Sequence, residues 1–313
     1  MHCDTITTLY DRIQNGSSGT LHKNSLQIDV EKLQKSNYLL QNFAVFLDKG
    51  VWKKDLFAEA MLRIDFFKEE ISSNAECIRQ VTSFNDIIQN EKENRISALL
   101  TLEGGEILEG NVDNLIKFHE KGVRMVTLTW NYDNELGHCH FDTEGQGLTK
   151  LGFEMVECME ELHMIPDVSH GSDTLFFDVC KVAKKPFVAS HSNARSVYNR
   201  TRNMSDEMIR ALAEQGGVMG MNFFAGFTSA RAEEDGICYM EDILSHMRHI
   251  VNVGGIECLG LGSDFDGIDT DVEWTDAGNM EFLLAGMKKA GFSESECDKI
   301  CRKNVLRLYK ECL

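Results

Sequence analysis

Short apolar runs, each followed by a stretch of helical periodicity, constrain this chain more than any other feature. The runs are Tyr38–Leu47, Ile96–Leu102, Val123–Trp130, Met164–Val168, Phe187–Ser190, Gly217–Phe223 and Leu259–Gly262. Amphipathic stretches lie between them at Leu56–Ile71, Leu115–Glu120, Phe153–Leu162, Ser205–Gln215 and Met240–Val253. Strands that alternate with helices pair in parallel, and strands apolar throughout are buried on both faces. The short segment Met1–Asp4 brings the strand count to eight. Eight such units predict an α/β fold closed as a (β/α)8 TIM barrel, with an open doubly wound sheet as the alternative. The 313 residues suit one barrel domain, 1–313, with a short first strand. One helix start is explicit: Ser205 as N-cap, acidic Asp206 and Glu207 behind it, and Gly216–Gly217 as the stop.

Charge and cysteine content narrow the partners. A formal charge of −18 repels nucleic acid and anionic membrane, so neither is expected as a partner. No apolar run approaches the ~18 residues that cross a bilayer. The ten cysteines are scattered, form no C-x-x-C pair and follow no signal peptide, which predicts reduced thiols and a cytoplasmic location. Cys297 and Cys301, one helical turn apart, read as structural thiols. The terminal Lys-Glu-Cys-Leu is not a prenylation signal.

Polar residues fall where the apolar runs stop. Glu103 follows Leu102, His170 closes Ile165–Ser169, His191 closes Phe187–Ser190, and Asp264 follows Leu259–Ser263. His2 and Asp4 lie on the first segment. In a parallel barrel all six project from the C-terminal rim, where active sites of this fold are built. Each alone has a plainer reading, such as a loop-capping imidazole, a helix-capping carboxylate or a strand's alternate residues. Together they would be costly to bury without a cation. Nitrogen and oxygen donors without a thiolate suit zinc, and also manganese, cobalt or iron, and a central carboxylate is able to bridge two ions. Among the other histidines, His246 and His249 read as a solvated helix face, and His22, His119 and His163 as surface residues. His138 and His140, in the loop after the fourth strand, read either as exposed or as touching substrate.

These segments resemble the membrane dipeptidase (renal dipeptidase) family of zinc peptidases, in its soluble bacterial-type form. The matching stretches are His2-Cys-Asp-Thr5, Leu102-Glu-Gly-Gly105, Asp167-Val-Ser-His170, Ser190-His-Ser-Asn-Ala194, Arg202-Asn203 and Gly260-Leu-Gly-Ser-Asp-Phe-Asp-Gly267. The likeness continues to Asn304-Val-Leu-Arg307. It implies a barrel of the metallo-dependent hydrolase type with two divalent ions, zinc by expectation. His2 and Asp4 would bind one, His170 and His191 the other, and Glu103 both. A hydroxide held between the ions would attack the peptide carbonyl of a small-molecule dipeptide. Asp264 would carry the proton to the departing amine, and Arg202 would clamp the substrate's carboxylate. A homodimer is also implied.

Two departures stand out. Mammalian members carry an oxyanion-stabilising histidine where this chain has Trp130, so Asn131, His138 or His140 is expected to replace it in contacting substrate. Only Met1 precedes His2, so looser binding at the His2/Asp4 ion is expected. The competing readings are an amidohydrolase-type barrel acting on another small amide or lactone, β-lactams included, and a non-catalytic barrel. Barrels of the former type carry His-x-His and often a modified lysine; here the pair is His-x-Asp and the bridge is Glu103.

Overall fold

The structure, a computed structural model, describes residues 1–52 and 55–313. Eight parallel strands form the barrel: β1 (His2–Cys3), β2 (Leu40–Phe46), β3 (Ile96–Glu103), β4 (Val123–Thr127), β5 (Ile165–Asp167), β6 (Val188–Ser192), β7 (Val218–Asn222) and β8 (Leu259–Phe265). Backbone ladders run β2-β3-β4-β5-β6-β7-β8-β1, so the TIM barrel expected from the apolar runs is the observed one. Among the described residues no ladder joins β1 to β2. That seam is crossed by side chains: the Cys3 thiol donates to the Asn42 carbonyl (3.2 Å), and the Phe46 amide donates to Thr7 Oγ1 (3.0 Å).

Helices cover the outside, and all five amphipathic stretches are helical. The helix Asp206–Glu214 starts as its sequence indicates, with the Met208 amide donating to Ser205 Oγ. Three short strands escaped the sequence reading: Ile78–Gln80, which pairs beside β3, and the pair Ile237–Cys238 with Asp271–Val272. Two or three residues show no periodicity. No helix of the described residues is long and apolar enough to cross a membrane. All ten cysteines are free.

The barrel interior grades from apolar to polar along its axis, and that gradient places the site. Alternate strand residues point inward. Leu99, Met125, Ile165, Val188 and Val218 form one apolar cluster with Leu308 and Tyr309 of the C-terminal helix, Asn304–Cys312. Two residues further along the first four of these strands stand Thr101, Thr127, Asp167 and Ser190, all buried. Glu103 ends the same inward column of β3.

Candidate metal centre and catalytic site

Backbone irregularities aim the rim residues. Between Ala189 and Ser192 strand β6 carries one residue more than its neighbour, which pairs them with Met219 and Met221. Such a bulge breaks the strict alternation, so Ser190 and the adjacent His191 both join the buried site. His170 (φ 67°) and Asp264 (φ 69°) adopt the left-handed conformation, which costs a non-glycine residue about 1–2 kcal/mol. The sharp turns put both side chains over the barrel mouth. Strain held at a cluster of titratable groups marks a functional site.

Six of the predicted site residues converge. His2, Asp4, Glu103, His170, His191 and Asp264 are each at most 9% exposed. Glu103 stands at the centre. Its Oε2 lies 3.4 Å from His2 Nε2, and its Oε1 lies 3.1 Å from His170 Nε2 and 3.3 Å from His191 Nε2. His2 Nε2 also faces Asp4 Oδ2 (3.1 Å) and Asp264 Oδ1 (3.7 Å).

The hydrogen-bond network fixes which imidazole nitrogens are bare. Asp167 Oδ2 accepts from Ser190 Oγ (2.5 Å), so that hydroxyl has spent its proton and must accept from His191 Nδ1 (2.7 Å). Asn131 Oδ1, which only accepts, takes the proton of His170 Nδ1 (2.9 Å). Both Nε2 atoms are therefore lone pairs, and they face each other at 3.0 Å. Two lone pairs at that separation repel unless a cation lies against both. Asp4 Oδ1 is buried without a hydrogen-bond partner among the described residues, a second group that asks for a positive charge. The donor set and these unmet groups fit divalent ions.

Electrostatics agree. Burial pushes Glu103 up to about 8 and raises Asp264, with Asp4 adding to both. Burial works against a charged His2, but Glu103 and Asp4 outweigh it and raise its pKa. Burial holds His170 and His191 well below their usual value, with Arg202 contributing. Glu103 and Asp264 resist ionising unaided, and His170 and His191 stay neutral and ready to ligate.

Arg202 is buried behind the histidines. It donates to the His191 carbonyl and Ser192 Oγ, both at 3.0 Å, while its Nε has no partner among the described residues. Its basic neighbours are surface residues by contrast: Arg195 pairs with Asp173, and Arg200 with Glu233. Asp264 Oδ2 accepts from Asn222 Nδ2 (2.8 Å).

The loop residues divide. His140 is buried and hydrogen-bonded to Asn131, which in turn holds His170. His138 turns to Asp133 (3.1 Å) and makes no hydrogen bond to the cluster among the described residues. Trp130 packs on Phe46 and lies 6.2 Å from the His170 ring. His246, expected on a solvated face, is fully buried: it accepts from the Ala194 amide and donates to the Thr228 carbonyl. Its helix packs that face under the loop before Ala230–Asp235, which polar neighbours along the helix do not reveal. His249 is half-buried against Asp206. Asp167, Ser190 and Asn222 carry no assignment from the sequence; Asp167 and Asn222 end their strands and Ser190 ends the apolar run Phe187–Ser190, which was the available signal.

A model of the membrane dipeptidase family, peptidase family M19, matches residues 1–312. An uncharacterised protein of Klebsiella pneumoniae is 31% identical over 255 residues, covering 79% of this chain and 94% of its own. An uncharacterised dipeptidase of Schizosaccharomyces pombe is 34% identical over 69% of this chain and 53% of its own. Dipeptidase 3 of Rattus norvegicus is 28% identical over 91% of this chain. The chain spans little more than half the length of these two dipeptidases (53% and 58%). Solved structures share the fold. A Rhodobacter sphaeroides metallopeptidase liganded with a phosphinate mimic of L-Ala-D-Ala superposes with a TM-score of 0.90 at 21% identity, over 100% of this chain and 98% of its own. A dipeptidase of metallopeptidase family M19 gives 0.90 at 23%, over 99% and 97%.

Proposed function

The chain belongs to the membrane dipeptidase family, peptidase family M19, and from that premise we propose that it is a metal-dependent dipeptidase. The observation that carries this reading is the pair of bare His170 and His191 nitrogens, 3.0 Å apart, both facing one oxygen of a carboxylate whose other oxygen faces His2. We assign His2 and Asp4 to one ion, His170 and His191 to a second, and Glu103 to both. Bound there, two divalent ions, for which zinc suits the donors, would supply a hydroxide nucleophile at neutral pH and polarise the scissile carbonyl.

The chain's own residues do the rest. Asp264, oriented by Asn222, takes the proton of the attacking water at Oδ1 and delivers it to the leaving amine. Arg202 keeps its charge, since burial lowers its pKa only to about 10, and its unpartnered Nε is free for the substrate's carboxylate. A carboxylate held there is one residue from the scissile bond, which selects dipeptides over longer chains. With His138 turned to Asp133 and both nitrogens of His140 engaged, the oxyanion donor we assign is Asn131, whose NH2 makes no hydrogen bond among the described residues. Turnover unchanged in Asn131→Ala would remove that assignment. The family resemblance also implies a homodimer, which sedimentation equilibrium would report.

The deciding experiment is a substrate panel before chelation, after it, and after zinc is restored. It includes L,L and L,D dipeptides, a tripeptide, a dipeptide amide and a β-lactam. Zinc-dependent cleavage of dipeptides alone is expected. Cleavage of the tripeptide or the amide as readily as the dipeptide would overturn the carboxylate clamp. A metal-loaded protein that cleaves none of the peptides would overturn the dipeptidase reading.

A further inference from the structure

Beyond the ligands themselves, three side chains form an unbroken line from the rim loop to His170. Thr201 Oγ1 lies 2.8 Å from His140 Nδ1, His140 Nε2 lies 3.0 Å from Asn131 Oδ1, and that same oxygen lies 2.9 Å from His170 Nδ1. The proton positions follow from chemistry. Asn131 Oδ1 carries no hydrogen, so both imidazoles donate to it. His140 Nδ1 is then bare and must accept from the Thr201 hydroxyl. Were the amide turned over, its NH2 would face two ring nitrogens and force the proton of His170 onto Nε2, the atom that faces Glu103. The arrangement seen is the one that leaves Nε2 free.

The backbone reinforces this line, for the His140 amide donates to the His170 carbonyl at 2.7 Å. His140 is buried and Asn131 half-buried, so water does not compete freely for the two inner bonds. The neighbouring residue makes the corresponding link to the backbone of the other histidine: Arg202 donates to the His191 carbonyl and to Ser192 Oγ. Consecutive residues, Thr201 and Arg202, thus anchor the two histidines.

We propose that Asn131, His140 and Thr201 act as positioning residues, a strut that fixes the metal-binding tautomer of His170 and ties it to the loop carrying Arg202. The inference rests on the metal-site reading above and goes beyond it in assigning roles to residues that touch neither ion nor reacting atoms through the atoms named. Partners of this kind, standing behind a ligating histidine, typically change metal affinity by about 10- to 100-fold when removed.

The test is zinc affinity of the chelator-stripped protein, measured by competition with a chromophoric chelator, together with the visible spectrum of the cobalt-substituted protein. Thr201→Val removes the donor at the exposed end of the strut without touching a ligand. We expect about a tenfold loss of affinity at one ion site and an altered cobalt spectrum. Thr201→Ser, which keeps the hydroxyl, should restore both. His140→Ala should reproduce the loss while its melting curve remains cooperative. Wild-type zinc affinity and an unchanged cobalt spectrum in Thr201→Val would overturn the strut, as would a failure of Thr201→Ser to restore them. Neither readout needs a substrate. A protein that cleaves no dipeptide yet shows this pattern refutes the dipeptidase reading alone, whereas a wild-type chain that binds no zinc removes both.

Discussion

Asp4 owes its place to the side chain that Gly267 lacks. A Cβ on Gly267 would stand 2.1 Å from Asp4 Oδ2 and 3.0 Å from Asp264 Oδ1. The Gly267 backbone lies outside the left-handed region, so an alanine there would meet a steric conflict at the site and no backbone strain. Gly267→Ala should therefore push Asp4 aside and weaken one ion by about tenfold or more, leaving the His170/His191 ion as in wild type. A metal titration with two unchanged sites would contradict this.

Asp264 poses a different question, because its Oδ1 stands among the same atoms as His2 and Asp4. As a proton carrier it should be dispensable for binding ions. Asp264→Asn is expected to lower kcat by about 10²–10⁴ while both ions and KM are retained. Loss of an ion in metal analysis would make Asp264 a ligand instead.

For Arg202 the comparison is between charge and geometry. Arg202→Lys keeps a cation but loses the planar guanidinium that spans the His191 carbonyl and Ser192 Oγ. KM for dipeptides should rise about 10- to 100-fold, consistent with about 1.5–3 kcal/mol for a hydrogen bond to a charged group. An unchanged KM would show that the substrate carboxylate binds elsewhere.

His246 predicts an acid-labile helix contact. Burial lowers its pKa from 6.5 to about 4. The unfolded chain thus binds a proton between these values while the folded one does not. The stabilisation is complete above pH 6.5 and is lost as pH falls toward 4, by up to about 3 kcal/mol. Urea midpoints at pH 7 and pH 5 should therefore diverge more in wild type than in His246→Gln. Equal divergence would rule the residue out as a source of acid sensitivity.

Metal removal should be visible in stability. Binding at a hundred times Kd adds about 2.7 kcal/mol per ion, which corresponds to roughly 4 °C in Tm for 313 residues at about 2.1 cal/mol/K of unfolding entropy each. Stepwise chelation should release the His2/Asp4 ion first, since β1 has two residues and no ladder to β2. Simultaneous release of both ions, or a Tm indifferent to chelator, would contradict this.

The sequence by itself determined the barrel and its rim. The runs at Ile96–Leu102 and Phe187–Ser190 are strands because only parallel strands covered on both faces read as continuously apolar. Glu103, His170 and His191 were legible as candidate ligands because each is the polar residue that ends such a run. Which way they face was decided by the tertiary structure. A bulge in β6 brings Ser190 and His191 together into the site, and Asp167 on the neighbouring strand sets the tautomer of His191 through Ser190. The same holds for the loop histidines: His138 and His140 are two residues apart in one loop, yet one meets Asp133 and the other Asn131. His246 shows it on a helix, where polar neighbours suggested solvent and packing against Thr228 buried it. Local pattern reports where a side chain stands along its own element. Its partner, and with it its protonation and its role, comes from another element that only folding brings near.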